Sequence, residues 1–213
     1  MVQAPAPSAS GTVTNTAVGQ RVARMREDVQ RLQGSVATNN QALQQLRGDT
    51  VADSQRYYTL VGGINARLQV GTTPGNPVLQ AQWAQVNQEL DKIGTEIGRM
   101  TTLSNTVAAD AALAAFLLES VRAAYSLSGA VEEDHKNLAA LEDDVNRTVV
   151  SIDRMLNELS EDVSRQSAYV GRERSNLSAL SVAIKNGELY GAGLGNRAFT
   201  SLAPAEGAAP TGT

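Results

Sequence analysis

The sequence of 213 residues predicts an all-α protein, an elongated antiparallel three-helix coiled-coil bundle with disordered tails. Apolar residues recur at alternating steps of four and three along most of the chain, which is the periodicity of coiled-coil packing. Aromatic residues make up only 4% of the chain, so aliphatic side chains and alanine must fill the core. The interior has one dense turn signal, GTTPGNP at residues 71–77, which indicates long helices and short links.

The first helix is predicted over residues 16–69. Its seam comprises Val18, Val22, Met25, Val29, Leu32, Val36, Asn39, Leu43, Leu46, Thr50, Asp53, Tyr57, Leu60 and Ile64. Gly71 then suits a left-handed C-cap, Asn76 an N-cap and Pro77 the first helical position. GTTPGNP therefore closes one helix and opens the next, and so short a link makes the two helices antiparallel neighbours.

The second helix is predicted over residues 77–127. One row of its seam comprises Leu79, Val86, Ile93, Met100, Val107, Ala114 and Val121. Continuing that row would place Ser128, His135 and Glu142 in the core, which disfavours one helix running through this region. We therefore predict a turn, with Ser128 as the cap of a third helix.

The third helix is predicted over residues 130–186, and Gly187 ends it. After Val131 and Leu138, its first row comprises Val145, Ile152, Leu159, Gln166, Glu173 and Leu180. Its second row comprises Val149, Leu156, Val163, Val170, Leu177 and Ile184. Three helices of similar length with two short links predict an up-down-up, spectrin-like rod.

Five polar residues interrupt the predicted seams and form a candidate polar layer: Asn39, Thr50, Asp53, Gln166 and Glu173. Folding the helices back on each other places Asp53 beside Gln166, and Tyr57 beside Tyr169. The layer is either a buried binding or switch site, or a device that fixes the register of the helices. We favour the second interpretation, because fixing register is the best-attested use of polar seam residues.

Three glycines, Gly48, Gly94 and Gly98, fall near one level of the predicted bundle. They indicate either a close approach between helices or a bend, and the sequence leaves both interpretations open.

Motifs for catalysis and for metal binding are incomplete in this sequence. Residues 132–135 contain Glu-x-x-His, the spacing found in di-iron helical bundles. Such a site needs a second histidine, and His135 is the only one in the chain. The absence of cysteine excludes thiolate zinc sites and disulfides. We therefore predict no enzymatic activity, no cofactor and no metal site.

The charge distribution argues against nucleic acid as a partner. Seven arginines and four acidic residues give the first predicted helix a net charge of +3. Seven basic and eleven acidic residues give the third a net charge of −4. Pairing of these opposite charges within the bundle explains the pattern better than binding of phosphates does.

Residues 107–121, VAADAALAAFLLESV, are apolar around most of the helix circumference. Leu113, Phe116, Leu117 and Leu118 point in different directions, so one seam cannot bury all four. We expect this association patch to support weak self-association. A partner protein is the next alternative, and membrane insertion the last, since the stretch is too short to span a bilayer. Small exposed alanines are the remaining explanation.

Residues 1–15 and 188–213 are rich in Pro, Ser, Ala and Gly, which predicts a flexible leader and a flexible tail. We expect that a targeting segment once preceded Met1. QAPAPSASGT and APAEGAAPTGT flank long helices, and this layout resembles the helical periplasmic region of Gram-negative envelope lipoproteins and OmpA-like proteins. The resemblance implies an envelope spacer or scaffold located in the periplasm or cell envelope, and we expect this segment to be soluble. It carries no functional residue over to this chain.

The sequence therefore predicts a non-enzymatic structural scaffold or spacer of the bacterial cell envelope that binds protein partners or itself. The alternative is a helical-bundle sensor, which is a ligand-input domain of a signalling protein. A concave site between helices near the layer of Asp53 and Gln166 would favour the sensor, whereas a spacer needs none.

Overall fold

The computed structural model describes residues 14 and 16–189 of the chain. It consists of three α-helices, α1 (Ala17–Val70), α2 (Pro77–Ala124) and α3 (Glu132–Asn186). No β-strand occurs among the described residues, and the predicted all-α, three-helix bundle is confirmed. Of the predicted leader and tail, only Thr14, Glu188 and Leu189 are described, and the remainder of both segments lies outside the described residues.

The chain forms two compact units, and each unit contains a stretch of all three helices. The first unit comprises the residues up to Val51 together with Gly94–Ala168. The second unit comprises Ala52–Ile93 together with the residues from Tyr169 onward. Each unit has an apolar core of its own.

In the first unit, aliphatic residues of the predicted seams form one continuous core. Its most deeply buried members include Val22, Leu32, Leu43, Met100, Val107, Ala114, Leu117, Leu138, Val145 and Ile152. Burial of these side chains against one another, rather than the helix propensity of each segment, stabilises helices of this length.

Polar contacts show the direction of the helices in the first unit. Thr50 on α1 contacts Glu96 on α2, whereas the earlier Asn39 contacts the later Asp110, so α1 and α2 are antiparallel. The guanidinium group of Arg47 lies 2.6 Å from Asp162 and 2.9 Å from Glu158 on α3. Together with the hydrogen bond between Arg26 and Asn137, these pairs show that α1 and α3 run parallel.

In the first unit, the buried row of α3 differs from the predicted one. The row that was expected to be buried, Val149, Leu156 and Val163, is only half-buried, and Val131 is exposed. The buried row consists instead of Leu141, Thr148, Met155 and Asp162. Two of these residues are polar, but the hydroxyl group of Thr148 donates to the carbonyl of Asp144, and Asp162 accepts from Arg47. Their hydrogen bonds remove most of the cost of burial.

The second unit has a core in which aromatic side chains take part. Its buried residues include Tyr57, Ile64, Leu68, Leu79, Val86, Leu90, Val170, Leu177 and Ile184. The indole nitrogen of Trp83 donates a hydrogen bond of 3.0 Å to the carbonyl of Leu177, which joins α2 to α3 in this unit. Here the predicted α3 row of Val170, Leu177 and Ile184 is confirmed.

The link between α1 and α2 has the predicted cap chemistry. Gly71 adopts a left-handed backbone with φ of 87°, directly after the last residue of α1. The side chain of Asn76 accepts a hydrogen bond of 2.9 Å from the amide of Val78, so Asn76 caps α2 and Pro77 is its first residue.

The link between α2 and α3 is longer than the sequence predicts. α2 ends at Ala124 rather than at residue 127, and α3 begins at Glu132 rather than at residue 130. The predicted cap, Ser128, is wrong, because the carbonyl of Val131 accepts the first amides of α3. The carboxylate of Asp134 in turn accepts a hydrogen bond of 3.1 Å from the amide of Val131, which fixes the start of the helix there.

Candidate interaction face

In the first unit, the polar seam residues Asn39 and Thr50 of α1 each contact an acidic side chain of α2. The side-chain amide of Asn39 donates a hydrogen bond of 2.8 Å to Oδ2 of Asp110, and the hydroxyl group of Ser35 donates to the same oxygen. The hydroxyl oxygen of Thr50 lies 2.9 Å from Oε2 of Glu96. These contacts cross between α1 and α2, so they constrain the alignment of the two helices.

In the second unit, Asp53 and Glu173 are also engaged. Asp53 forms an ion pair with Arg56, whose guanidinium group also lies 3.1 Å from Glu89. Burial tends to raise the pKa of Glu89, but hydrogen bonds from Lys92 and Arg56 prevail and lower it.

Two tyrosines accompany Glu173 in the second unit. The hydroxyl group of Tyr57 donates a hydrogen bond of 2.7 Å to Glu173, and the rings of Tyr57 and Tyr169 lie 6.4 Å apart. The predicted proximity of Tyr57 and Tyr169 is therefore confirmed. Burial, followed by the interaction with Glu173, raises the pKa of Tyr57, so its hydroxyl group keeps its proton and donates the hydrogen bond to Glu173.

The last member of the predicted polar layer is Gln166, which is half-buried in the first unit. Asp53 belongs to the second unit, and its proximity to Gln166 stays a prediction. In each unit, the engaged members bind neighbouring side chains outside the predicted layer: Asn39 binds Asp110, Thr50 binds Glu96, Asp53 binds Arg56 and Glu173 binds Tyr57. This arrangement is that of residues that align helices.

The acidic start of α3 has a structural use. Glu132 forms an ion pair of 3.0 Å with Lys136, and the ring of His135 stacks on Tyr125 with centroids 6.1 Å apart. Asp134 is buried and bound to neighbouring groups. Within residues 14 and 16–189, no three His, Asp or Glu side chains converge closely enough to hold a metal ion.

Asp134 is the residue whose importance the sequence analysis missed. Besides the amide of Val131, its carboxylate accepts hydrogen bonds from the hydroxyl groups of Thr14 and of Thr16, the latter at 2.7 Å. Thr16 is itself the cap of α1, because its hydroxyl oxygen accepts the amide of Gly19 at 2.8 Å. Hydrogen bonds from Thr14 and then Thr16 lower the pKa of Asp134. One carboxylate thus joins the starts of α1 and α3.

One side of the first unit is nearly free of charge. Residues 32–46 of α1, LQGSVATNNQALQQL, contain no ionisable side chain, and residues 100–118 of α2 contain only Asp110. These stretches lie side by side, because Ser35 and Asn39 bind Asp110. We call the outward surface of these two stretches the uncharged face. On α3, by contrast, the parallel stretch carries Asp144, Arg147, Asp153, Arg154 and Glu158.

The predicted association patch divides between this face and the core. Phe116 is 67% exposed and Leu113 is 42% exposed, whereas Leu117 is 1% exposed and belongs to the core of the first unit. Leu118 is half-buried against that core. The expectation that one seam cannot bury all four side chains is confirmed, and the outward pair, Leu113 and Phe116, lies on the uncharged face.

A groove of about 480 Å³ lies between α1 and α2 at one end of the uncharged face and extends beyond it to Thr95, Gly98 and Arg99. It is lined by Ala42, Gln45, Leu46, Thr95, Gly98, Arg99, Thr102, Leu103 and Thr106. A Cβ atom added at Gly98 or at Gly48 would meet no other atom within 4 Å. The interpretation that helices approach closely at these two glycines is therefore wrong. The missing side chain at Gly98 instead leaves the groove open at that point.

No known family model matches the chain, and no curated protein or solved structure matches it either. In the described part of the chain, none of the three helices is long and apolar enough to cross a membrane. A functional assignment therefore depends on the geometry of the chain itself, in which the uncharged face, with its exposed Phe116, differs from an ordinary solvated helix surface.

Leu113 and Phe116 were predicted only as two members of a patch of four residues, without their outward direction, and the extent of the face around them was missed. The missing signal was present in the sequence, as two charge-free runs that the predicted register places side by side. The groove gave no such signal, because it depends on the positions of the side chains around Gly98.

Proposed function

We propose that this chain is a non-enzymatic structural module that joins protein chains through the uncharged face of its first unit. The observation that supports this most strongly is Phe116, a large aromatic side chain that is 67% exposed on a surface with almost no charge. Covering one such side chain contributes about 1.5–3 kcal/mol before the entropy of association is subtracted. Aromatic side chains in this setting commonly dominate the energy of protein interfaces.

The use of the polar residues supports a structural role rather than catalysis. Asn39, Asp110, Tyr57 and Glu173 hold helices in alignment through hydrogen bonds of 2.7–2.8 Å. A module whose polar groups are committed to alignment suits a scaffold or spacer, which presents a surface at a defined place. Its partner is another protein chain or a second copy of itself.

The proposed location is the periplasm or cell envelope. Its support is the resemblance of the leader and tail sequences to those of envelope lipoproteins and OmpA-like proteins. Fractionation of cells that express the native gene tests this part separately, and recovery of the protein in the cytosol would contradict it.

The interaction surface is tested by placing a charge on it. Phe116→Glu should abolish association, since the carboxylate would be desolvated at the contact, and should leave the helical content unchanged. Val150→Glu is the matched control, because Val150 is 59% exposed on α3 of the same unit and lies outside the face. Leu117→Glu should unfold the first unit instead, because this side chain is buried. Equal effects of Phe116→Glu and Val150→Glu on association would contradict the proposal.

The groove favours a second candidate function, a ligand-input domain. Its lining includes one cation, Arg99, but the hydroxyl groups of Thr102 and Thr106 are already donated to the carbonyls of Gly98 and Thr102. Few directional groups are thus left for a small molecule, which places this candidate second. A small carboxylate that raised the melting temperature of the chain, but not that of Gly98→Gln, would support it.

A further inference from the structure

We propose that the groove of the uncharged face receives Phe116 from a second copy of this chain, and that the two copies pair antiparallel about a two-fold axis near Ala109. This inference rests on the proposed function and specifies its partner. It follows from the positions of the exposed ring and the groove, from the charge of the face and from the area available.

The exposed ring and the groove lie on one stripe of α2. From Thr95, steps of four and three lead through Arg99, Thr102 and Thr106, which line the groove, to Ala109, Leu113 and Phe116. Residues at these spacings project from the same side of a helix. A partner surface laid along this stripe therefore meets both the groove and the ring.

The groove suits an aromatic ring. Its floor is open at Gly98, and its volume of about 480 Å³ leaves room for a side chain the size of phenylalanine. Its rim carries Arg99, which is exposed and forms no ion pair with any other described residue. A guanidinium group beside an entering ring provides a cation–π contact, and it is the only charge that the groove presents.

The spacing along α2 makes the two insertions reciprocal. The α2 residues of the groove centre near residue 101, about 15 residues or 22 Å from Phe116 at 1.5 Å per residue. A two-fold axis midway, near Ala108 and Ala109, places each ring over the groove of the other copy. Such a contact is isologous and closes after two copies. The alanines at the axis, including exposed Ala112, allow the two helices to approach.

The charge of the face favours a second copy over a charged partner. Two copies that meet through this face bring few charges together, and the Asp110 carboxylate, which lies near the axis, is stabilised by hydrogen bonds from Ser35 and Asn39. A strongly acidic or basic partner would find no opposite charge there except Arg99.

The area available predicts a weak dimer. The charge-free stretch of α1 has 15 residues and is about 22 Å long, and two adjacent helices are about 20 Å wide, so two copies that cover this area would bury roughly 900 Å² in total. Stable interfaces commonly bury about 1,200–2,000 Å². We therefore expect a dissociation constant in the micromolar range or above.

The test retains an aromatic side chain at position 116 and identifies what it touches. Phe116→p-benzoylphenylalanine, prepared with natural isotopes and with ¹⁵N, is mixed at high concentration and irradiated. Mass spectrometry then identifies cross-links that join the two isotopic forms. The proposal predicts cross-links from position 116 to residues 42–46 and 95–106 of the other copy.

Two other outcomes would contradict this pairing without contradicting the proposed function. Cross-links to residues 113–116 of the other copy, with association intact, would overturn this pairing and leave the proposed function standing. A chain that neither cross-links nor associates at any concentration would overturn the two-fold pairing, and a protein partner captured on the same face would still satisfy the proposed function.

A groove-filling variant gives an independent test. Gly98→Gln places a side chain in the groove, and Gly171→Gln is the matched control, because both are exposed helical glycines with open space around an added Cβ. Both variants should match or exceed the unmodified chain in melting temperature. Only Gly98→Gln should weaken dimerisation, by about tenfold or more, since it competes with Phe116. Unchanged dimerisation of Gly98→Gln would overturn the proposal.

Discussion

The side-chain amide of Asn39 donates a hydrogen bond of 2.8 Å to Asp110, the only charged residue in positions 100–118 of α2. This bond directs the carboxylate toward α1 and away from the outward surface. The same contact aligns the two helices and leaves the face beside Phe116 uncharged. Register and interaction surface therefore depend on one pair of residues.

Replacing Asn39 alone should lower the free energy of unfolding more than replacing Asn39 and Asp110 together. Asn39→Leu leaves the Asp110 carboxylate with Ser35 as its remaining donor among these residues, and should lower the free energy of unfolding by about 1–3 kcal/mol. Asn39→Leu combined with Asp110→Leu replaces both partners by apolar groups, and should recover much of this loss. Urea unfolding of the two single variants and the double variant measures the coupling. If the changes in the free energy of unfolding for the two single variants add up to that of the double variant, the hydrogen bond between Asn39 and Asp110 contributes nothing to stability.

Asp134 should make the first unit sensitive to acid. Its pKa in the folded chain lies below its ordinary value of 3.8, chiefly because of the hydrogen bond from Thr14. Its stabilising contribution is therefore complete above the pKa of the unfolded chain and is lost as the pH falls through the pKa of the folded chain. The unmodified chain should lose more stability below about pH 4 than Asp134→Asn does.

The control for this prediction lies in the same helical turn. Glu132→Gln removes a surface ion pair with Lys136 but keeps Asp134, so its stability should follow the pH dependence of the unmodified chain. Thermal unfolding between pH 2 and pH 7 tests all three proteins. Parallel curves for the unmodified chain and Asp134→Asn would contradict the role given to the carboxylate.

Replacing Gly171, within α3, and Gly187, directly after α3, by alanine should change the free energy of unfolding in opposite directions. Gly187 has a φ of 80°, and an added Cβ would collide with the carbonyl oxygen of Thr72. Gly187→Ala should lower the free energy of unfolding by roughly 1–2 kcal/mol or more. Gly171 is helical with open space around it, so Gly171→Ala should raise this free energy by roughly 0.5–1 kcal/mol. Calorimetry distinguishes a loss of stability from a gain. An unchanged stability of Gly187→Ala would show that the backbone after α3 rearranges to accept the side chain, which contradicts the prediction.

Local cap chemistry and apolar period predicted much of the fold. The link at residues 71–77 was predictable because Gly71, Asn76 and Pro77 each act on the backbone next to them. The expectation that Leu113, Phe116, Leu117 and Leu118 could not all be buried in one seam also rested on helical spacing, although it left open which of them face outward. These features depend on spacing alone.

Features that depend on tertiary partners were not predictable. Thr148 and Asp162 occupy the α3 seam of the first unit in place of Val149 and Val163, because a carbonyl and Arg47 satisfy them. Asp134 likewise fixes the start of α3 by accepting a hydrogen bond from the amide of Val131, and it also binds Thr14 and Thr16, which precede α1. A pattern based on apolar residues predicts that such polar residues are exposed. Their burial depends on hydrogen-bond partners whose positions only the folded structure shows.

Sedimentation equilibrium of the unmodified chain over a wide range of concentrations tests the central claim most directly. The account predicts a reversible rise in average mass from monomer to dimer, with a dissociation constant in the micromolar range or above, and no such rise for Phe116→Glu. A monomeric mass at every concentration, or an equal rise for Phe116→Glu, would contradict the claim that the uncharged face joins two copies of this chain.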